Sequence, residues 1–385
     1  MCMNCRYCNG ENVIKRGTVQ ALDRKKKQIY FCKDCKRKFG FDPYYEPEEN
    51  VSKTTTTYSQ DWPNYNEAQK QEKVIFIDLL RSLCSLIKDE TPTGVGRPSM
   101  PIQEMVFSCV MKCYERISSR REYSDLKIEE GRGNLDVIPH FNTVLKYFNS
   151  PKLITILTDL ITTSALPLRG LEDTFAVDSS GFASSLYSRW FDYRFNGDRK
   201  VKDWLKVHAI CGVKSSIVTA IKVTDGHAAD SPQFPELVRN TAKFFKIHIV
   251  TADKGYSSRE NLEVAAEVGG HAFIPFRSNA TGKAGGSTLW KKLFLLYTLR
   301  NEDFNAMYHS RSNIESVFSM MKRKLGGNLM MKKEVSQVVE SLAKVLCHNI
   351  MCLIYESFKN GIDFNFEASA HLLGSVNINS TLVNR

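Results

Sequence analysis

TFAVD at residues 174–178, WLKVHAICGV at 204–213, SIVTAIKVT at 216–224, KIHIVTAD at 246–253 and HAFIPF at 271–276 are five short apolar runs closed by turn residues. Each is rich in β-branched or aromatic side chains, the pattern of a strand. PQFPELVRNTAKFF lies between the third and fourth runs and reads as a helix, and a second helical stretch separates the fourth from the fifth. Short apolar strands interleaved with helices define an α/β domain.

The order strand, strand, strand, helix, strand, helix, strand is that of a ribonuclease-H-like mixed sheet flanked by helices. This domain is expected over residues 171–358, with helices filling it from about residue 289 and a C-terminal tail over 359–385. Upstream, Val74, Ile77, Leu80 and Ile87 fall near helical spacing. A second helical region runs from about residue 100 to 166, interrupted by a basic loop at 118–121 and restarted at Pro139. Residues 65–170 are therefore expected to be a helical region. Residues 43–64, with their Pro, Glu and Thr54–Thr57 run, read as a linker. A chain of 385 residues with 42% apolar content is long enough for two or three domains with real cores, which excludes disorder.

Residues 1–42 are a separate unit, too small to fold on apolar burial alone. Cys5-x-x-Cys8 and Cys32-x-x-Cys35 supply four thiolates from two short knuckles, the spacing of a structural Zn²⁺ site and hence of a zinc ribbon. Cys2-x-x-Cys5 is an equally spaced pair; Cys5 and Cys8 are preferred because Gly10 follows and permits a tight turn. The other six cysteines lie in apolar contexts and read as small core residues. Of the net charge of +11, most lies in the first 40 residues, where eleven basic residues face three acidic ones. Lys36, Arg37 and Lys38 surround the second knuckle and are expected to contact DNA phosphates. No apolar run follows the first basic residue, so no signal peptide is expected and the location should be cytoplasmic, on the nucleoid. The apolar stretch 345–355 is too short to cross a bilayer.

Asp178 is expected to end the first strand and Asp253 the fourth, so both carboxylates converge at one sheet edge. The third acid comes from YHSRSNIESVFSMMKRKLGG, in which Tyr308, Arg311, Glu315 and Lys322 are separated by 3, 4 and 7 residues. On a helical wheel they fall at about 0°, 300°, 340° and 320°, one polar stripe. Ile314, Val317, Phe318, Met321 and Leu325 form the adjacent apolar face that would pack on the sheet.

The pattern Tyr308-x2-Arg311-x3-Glu315-x6-Lys322, preceded by AVDSSG and TADKGY, resembles the DDE-class transposases of bacterial and archaeal insertion sequences, in the group with a Tyr-Arg-Glu-Lys signature. The resemblance covers about residues 96–355, and the paired CxxC motifs look like the zinc ribbons on some insertion-sequence proteins. It implies that Asp178, Asp253 and Glu315 are the catalytic acids, and that Tyr308, Arg311 and Lys322 lie near bound DNA. Three gathered carboxylates repel one another and want a cation, and oxygen-only ligation favours Mg²⁺ or Mn²⁺. Such ions would activate water or a DNA 3′-hydroxyl for in-line attack on a phosphodiester. The implied partners are the transposon ends and target of double-stranded DNA, bound by a homodimer or higher multimer, with no membrane. His208 reads as a structural histidine, His227 and Asp230 as a turn and helix cap, and Trp290 as core. Two rivals remain: a catalytically inactive zinc-ribbon DNA-binding regulator that kept the fold, and a metal-dependent nuclease without strand transfer.

Overall fold

Residues 4–20, 26–40, 61–88, 99–184, 204–283, 285–364 and 366–367 are described by the structure, a computed structural model. Cys2, Arg24, Lys25, the Thr54–Thr57 run and most of the expected linker and tail lie outside them.

The N-terminal unit is a three-stranded antiparallel sheet of β1 (Val13–Gln20), β2 (Lys26–Cys32) and β3 (Lys38–Phe39), in that order. Its core is small: Cys5, Cys32 and Phe39 are buried, with the rings of Tyr7 and Tyr30 against Phe39.

Five helices follow: α1 (Trp62–Ser85), α2 (Ile102–Glu115), α3 (Ser119–Gly131), α4 (Phe141–Phe148) and α5 (Lys152–Ala165). Helix α1 starts inside the stretch expected to be linker, because Asp61 caps it by accepting the Asn64 N–H and Pro63 suits its first turn. The expected basic loop at 118–121 is shorter than its composition implied. Ser118 accepts the Arg121 N–H and caps α3, which places Arg120 and Arg121 in the helix's first turn.

The second sheet contains β4 (Thr174–Ala183), β5 (Trp204–Gly212), β6 (Val218–Asp225), β7 (Ile249–Ala252) and β8 (His271–Phe273). Helix α6 (Phe234–Ala242) connects β6 to β7, and α7 (Arg259–Glu267) connects β7 to β8. The spatial order is β6-β5-β4-β7-β8. Strands β4, β5 and β6 form an antiparallel meander, whereas β7 and β8 run parallel to β4. This is the expected mixed ribonuclease-H-like sheet. Phe175, Ala176 and Val177 are all buried, as a central strand covered on both faces requires.

The chain then forms α8 (Thr288–Leu299), α9 (Asn301–Tyr308), α10 (Ser312–Leu325) and α11 (Glu334–Asn360). The last is longer than its most apolar stretch implied and is long and apolar enough to cross a membrane, yet 83% of its most apolar window is buried inside the fold. It packs against α1, α2 and α5 and is the spine on which the helical region and the sheet meet. Phe366, in the expected tail, is also buried in this core.

Two polar side chains on α11 bind it to the sheet region. Asn349 accepts the Val218 N–H and donates to the Val218 carbonyl. His348 donates through Nε2 to the Ser216 carbonyl at 2.9 Å, where Ser216 takes a left-handed φ of 64°. Burial pushes the His348 imidazole down from 6.5 to about 4. The unfolded chain therefore takes up this proton first: His348 supports the fold fully above pH 6.5 and loses that support as pH falls toward 4. Between pH 6.5 and 5 the loss amounts to about 2 kcal/mol. Urea unfolding at the two pH values should show it, and His348→Gln should make the decline shallower, with buried His208, likewise pushed down to about 4, keeping its own share; an equally steep decline in the variant would exclude His348 as a source.

Candidate active site

Parallel pairing of β4 with β7 runs from Thr174↔Ile249 to Val177↔Ala252. The next residue on each strand is an aspartate, so Asp178 and Asp253 stand on neighbouring backbones one step beyond the last pair. Asp178 does not end its strand, as its sequence context suggested. β4 continues to Ala183 because β5 pairs with it through the whole stretch, from Phe175↔Gly212 to Ala183↔Trp204. Only the parallel neighbour stops, which opens the sheet edge beside Asp178. Asp253 does close β7, and it caps the following 3₁₀ turn by accepting the Lys254 N–H at 2.7 Å.

Strand alternation sends Asp178, Ser180 and Phe182 to one face, and α10 lies against that face. Ile314, Val317, Phe318, Met321 and Leu325 are its buried side, as their spacing implied. The helix expected to be continuous through Tyr308 is not: α9 ends at Tyr308, a 3₁₀ turn spans His309–Arg311, and α10 begins at Ser312. The polar row nevertheless reaches the strand. Arg311 donates from Nη2 to Asp178 Oδ2 at 3.0 Å and pairs through Nη1 with Glu315 Oε1 at 2.8 Å. Lys322 Nζ donates to Ser180 Oγ at 2.7 Å and stands over the Phe182 ring.

Burial lifts the Asp178 carboxyl above its ordinary range, against the opposing pull of the Ser179 N–H and Arg311, and Asp253 adds repulsion. Burial likewise lowers Lys322 and raises Tyr308. Tyr308 stacks on Phe304, whose buried ring meets Tyr297 and Phe273. Glu315 is more than half exposed. The donor atoms of the three acids do not all lie within 4.8 Å of one another; among the described residues only the cysteine cluster meets that test. Asp178 and Glu315 are instead joined through the Arg311 guanidinium.

In the N-terminal unit the sulfurs of Cys5, Cys8, Cys32 and Cys35 all lie within 4.8 Å of one another, with 3.6 Å between Cys5 and Cys35 and between Cys8 and Cys32. Four thiolates on one tetrahedral Zn²⁺ at about 2.3 Å stand about 3.8 Å apart, so the donor set fits a zinc ribbon. The residues after the two knuckles, Asn9 and Lys36, both take φ of 56°. Gly10 serves by its lack of a side chain, since a Cβ there would strike the Asp34 carboxylate; its φ is not among the positive ones. Lys36 and Lys38 are exposed. Arg37 is engaged within the chain, paired with Glu302 and lying over the Tyr7 ring.

Several residues turn out differently from their sequence contexts or went unnoticed there. His208 is buried and bonded at Nε2 to Thr224 Oγ1, as a structural histidine should be. Trp290 is core, with its N–H on the Thr281 carbonyl. Asp230 precedes a 3₁₀ turn, Ser231–Gln233, but makes no side-chain cap bond to it. Its carboxylate instead accepts from Ser179 Oγ at 2.6 Å and meets Lys206 Nζ at 2.7 Å. The sequence marks Ser179, Ser180 and Lys206 only weakly, through the polar pair directly after Asp178.

Residues 169–350 match the family model described as the transposase DDE domain. Among solved structures, the chain is similar to the piggyBac transposase synaptic complex with hairpin DNA, determined by cryo-EM, at 11% identity and a TM-score of 0.35, over 78% of this chain and 76% of that chain.

Proposed function

We propose, from the match of residues 169–350 to the transposase DDE domain, that this protein is a DNA transposase that cleaves insertion-sequence ends and joins them to target DNA by divalent-metal-dependent hydrolysis and strand transfer. The observation that carries the reading is the β4–β7 pairing, which ends one residue short of both aspartates and leaves Asp178 and Asp253 side by side at an open sheet edge. Glu315 is the third acid, on a helix fixed to the same face.

The donor set suits a hard cation, with carboxylate oxygens alone and two of the three groups on adjacent backbones. Asp178, Asp253 and Glu315 would hold Mg²⁺ or Mn²⁺, which when bound supplies Lewis acidity at the phosphate and a nucleophile active at neutral pH. Arg311 neutralises Asp178 and Glu315 through separate nitrogens, so cation binding requires it to release them. Once released, its planar guanidinium is suited to a non-scissile phosphate, and Lys322 to another as a point charge. Tyr308 braces the turn that leads into α10 and faces the DNA side. Lys36 and Lys38 on the ribbon add backbone contacts whose strength falls with salt. Two such chains, or a higher multimer, would hold two transposon ends together.

The test supplies purified protein with duplexes bearing the element's ends and a target plasmid, with Mg²⁺ or with EDTA. Joined product that depends on Mg²⁺ is expected. Cleavage without joining would favour a nuclease, and binding without either reaction a non-catalytic regulator; both results would overturn the proposal.

A further inference from the structure

The register that brings Asp178 and Asp253 together also puts Asp253 at the last step of the ladder. Val177↔Ala252 is the last pair between their strands, so no pair beyond it fixes Asp253 relative to Asp178. A chain of hydrogen bonds on the opposite face of the sheet adds a second tie. Ser179 follows Asp178 and points the other way, as alternate residues on a strand do. Its hydroxyl donates to Asp230 Oδ1 at 2.6 Å. The Asp230 carboxylate is held by Lys206 Nζ at 2.7 Å, and His208 Nδ1 stands 3.4 Å away. The next residue, Ser231, accepts from Asn261 Nδ2 at its hydroxyl, 3.0 Å, and at its carbonyl, 3.4 Å. The same Nδ2 donates to the Tyr256 carbonyl at 2.7 Å, and the Tyr256 N–H returns to the Asp253 carbonyl at 2.9 Å. Asn261 is buried, and so is Tyr256.

We propose that Asp230 is a positioning residue that fixes the separation of Asp178 and Asp253 for divalent-cation binding. The inference rests on the reading of those two aspartates as cation ligands. Asp230 touches neither the cation nor the DNA in this scheme; it acts through Ser179 on one side and through Ser231 and Asn261 on the other. Its use fits its geometry: a residue that merely capped the 3₁₀ turn would bond to that turn's N–H groups, and Asp230 does not. Mg²⁺ demands near-ideal octahedral geometry, so a loosened pair of ligands loses affinity. Outer partners of metal ligands contribute about 10- to 100-fold in metal affinity.

The experiment is Mn²⁺ titration of the full-length, DNA-free protein, with free Mn²⁺ read by electron paramagnetic resonance. Asp230→Ala and Ser179→Ala should each weaken binding about tenfold or more. The double variant should be no worse than either single one, because both break the same link. Ser179→Thr keeps the hydroxyl and should bind within about twofold of the wild type, a rescue that a purely structural role does not predict. Should Asp230→Ala fail to fold, the two Ser179 variants decide alone. Wild-type Mn²⁺ affinity in folded Asp230→Ala or Ser179→Ala, with binding lost in Asp253→Asn, would overturn this inference and leave the cation site standing. Unchanged affinity in Asp253→Asn would overturn both.

Discussion

Asp253→Asn should abolish strand cleavage and joining while the protein folds and binds DNA as before. The substitution conserves shape, and its remaining carbonyl oxygen can still accept the Lys254 N–H that Asp253 accepts at 2.7 Å, so the 3₁₀ turn keeps its cap. Asp253 is partly exposed and has no ion-pair partner among the described residues, so the lost charge should change stability by no more than about 0.5 kcal/mol. What is lost is one of two carboxylates on adjacent backbones. A neutral amide is a far weaker ligand for a hard cation, and with Asp178 alone beside it the remaining charge no longer requires one. The rate should therefore fall well beyond the ~100-fold that removal of an outer partner costs. A gel assay of end cleavage and an anisotropy titration with the same duplex separate the two effects. Cleavage at the wild-type rate would remove Asp253 from the chemistry. Loss of DNA affinity in parallel with cleavage would mean that the aspartate supports the fold of the DNA-binding face instead.

The parts of this site that local chemistry dictates were readable in the chain. Five apolar runs gave five strands in their expected order, because each is short, β-rich and closed by turn residues. The cysteine knuckles were readable from spacing alone, since a tetrahedral ion imposes it. The apolar face of α10 was equally plain, and Ile314, Val317, Phe318, Met321 and Leu325 are all buried. Features set by long-range pairing were not. Polar Asp178, Ser179 and Ser180 look like a strand end, yet β4 continues through them because β5 supplies a partner for every residue to Ala183. The break at His309–Arg311 carries no Gly or Pro to announce it. Asp230 sits before Ser-Pro, a context that reads as a cap, and its actual partners Ser179 and Lys206 lie 51 and 24 positions away in the chain. Docking of the ribbon onto α8 and α9 was also invisible, since Val19 meets Leu295 and Leu299 only in the folded chain.

Removal of the Zn²⁺ that the four cysteines would hold, by chelation or by Cys32→Ser, should unfold the N-terminal sheet outright. Cys5, Cys32 and Phe39 are the buried residues of its own cluster, far too few to offset the entropy of ordering more than thirty residues. A structural Zn²⁺ contributes apparent binding of about 10 kcal/mol or more, which is folding energy when no site exists in the unfolded chain. The loss should not stop at the ribbon. Val19 packs on Leu295 and Leu299, the Gly40 N–H bonds to the Leu299 carbonyl, Phe39 bridges to Arg300, and Arg37 pairs with Glu302. A Cβ at position 40 would overlap Leu299, so the approach is close enough to need glycine. These contacts end on α8 and α9, and α9 runs through one 3₁₀ turn into the helix that carries Glu315. Hydrogen exchange should therefore accelerate throughout β1–β3 and, to a smaller degree, in α8 and α9, while β4 to β6 keep their protection. Lys36 and Lys38 would lose their rigid base, and the salt dependence of DNA binding should become shallower with them. Metal analysis should find one zinc per chain in the protected protein. Full protection of β1–β3 after the metal is gone would show that the ribbon stands on its packing against α8 and α9 rather than on four thiolates.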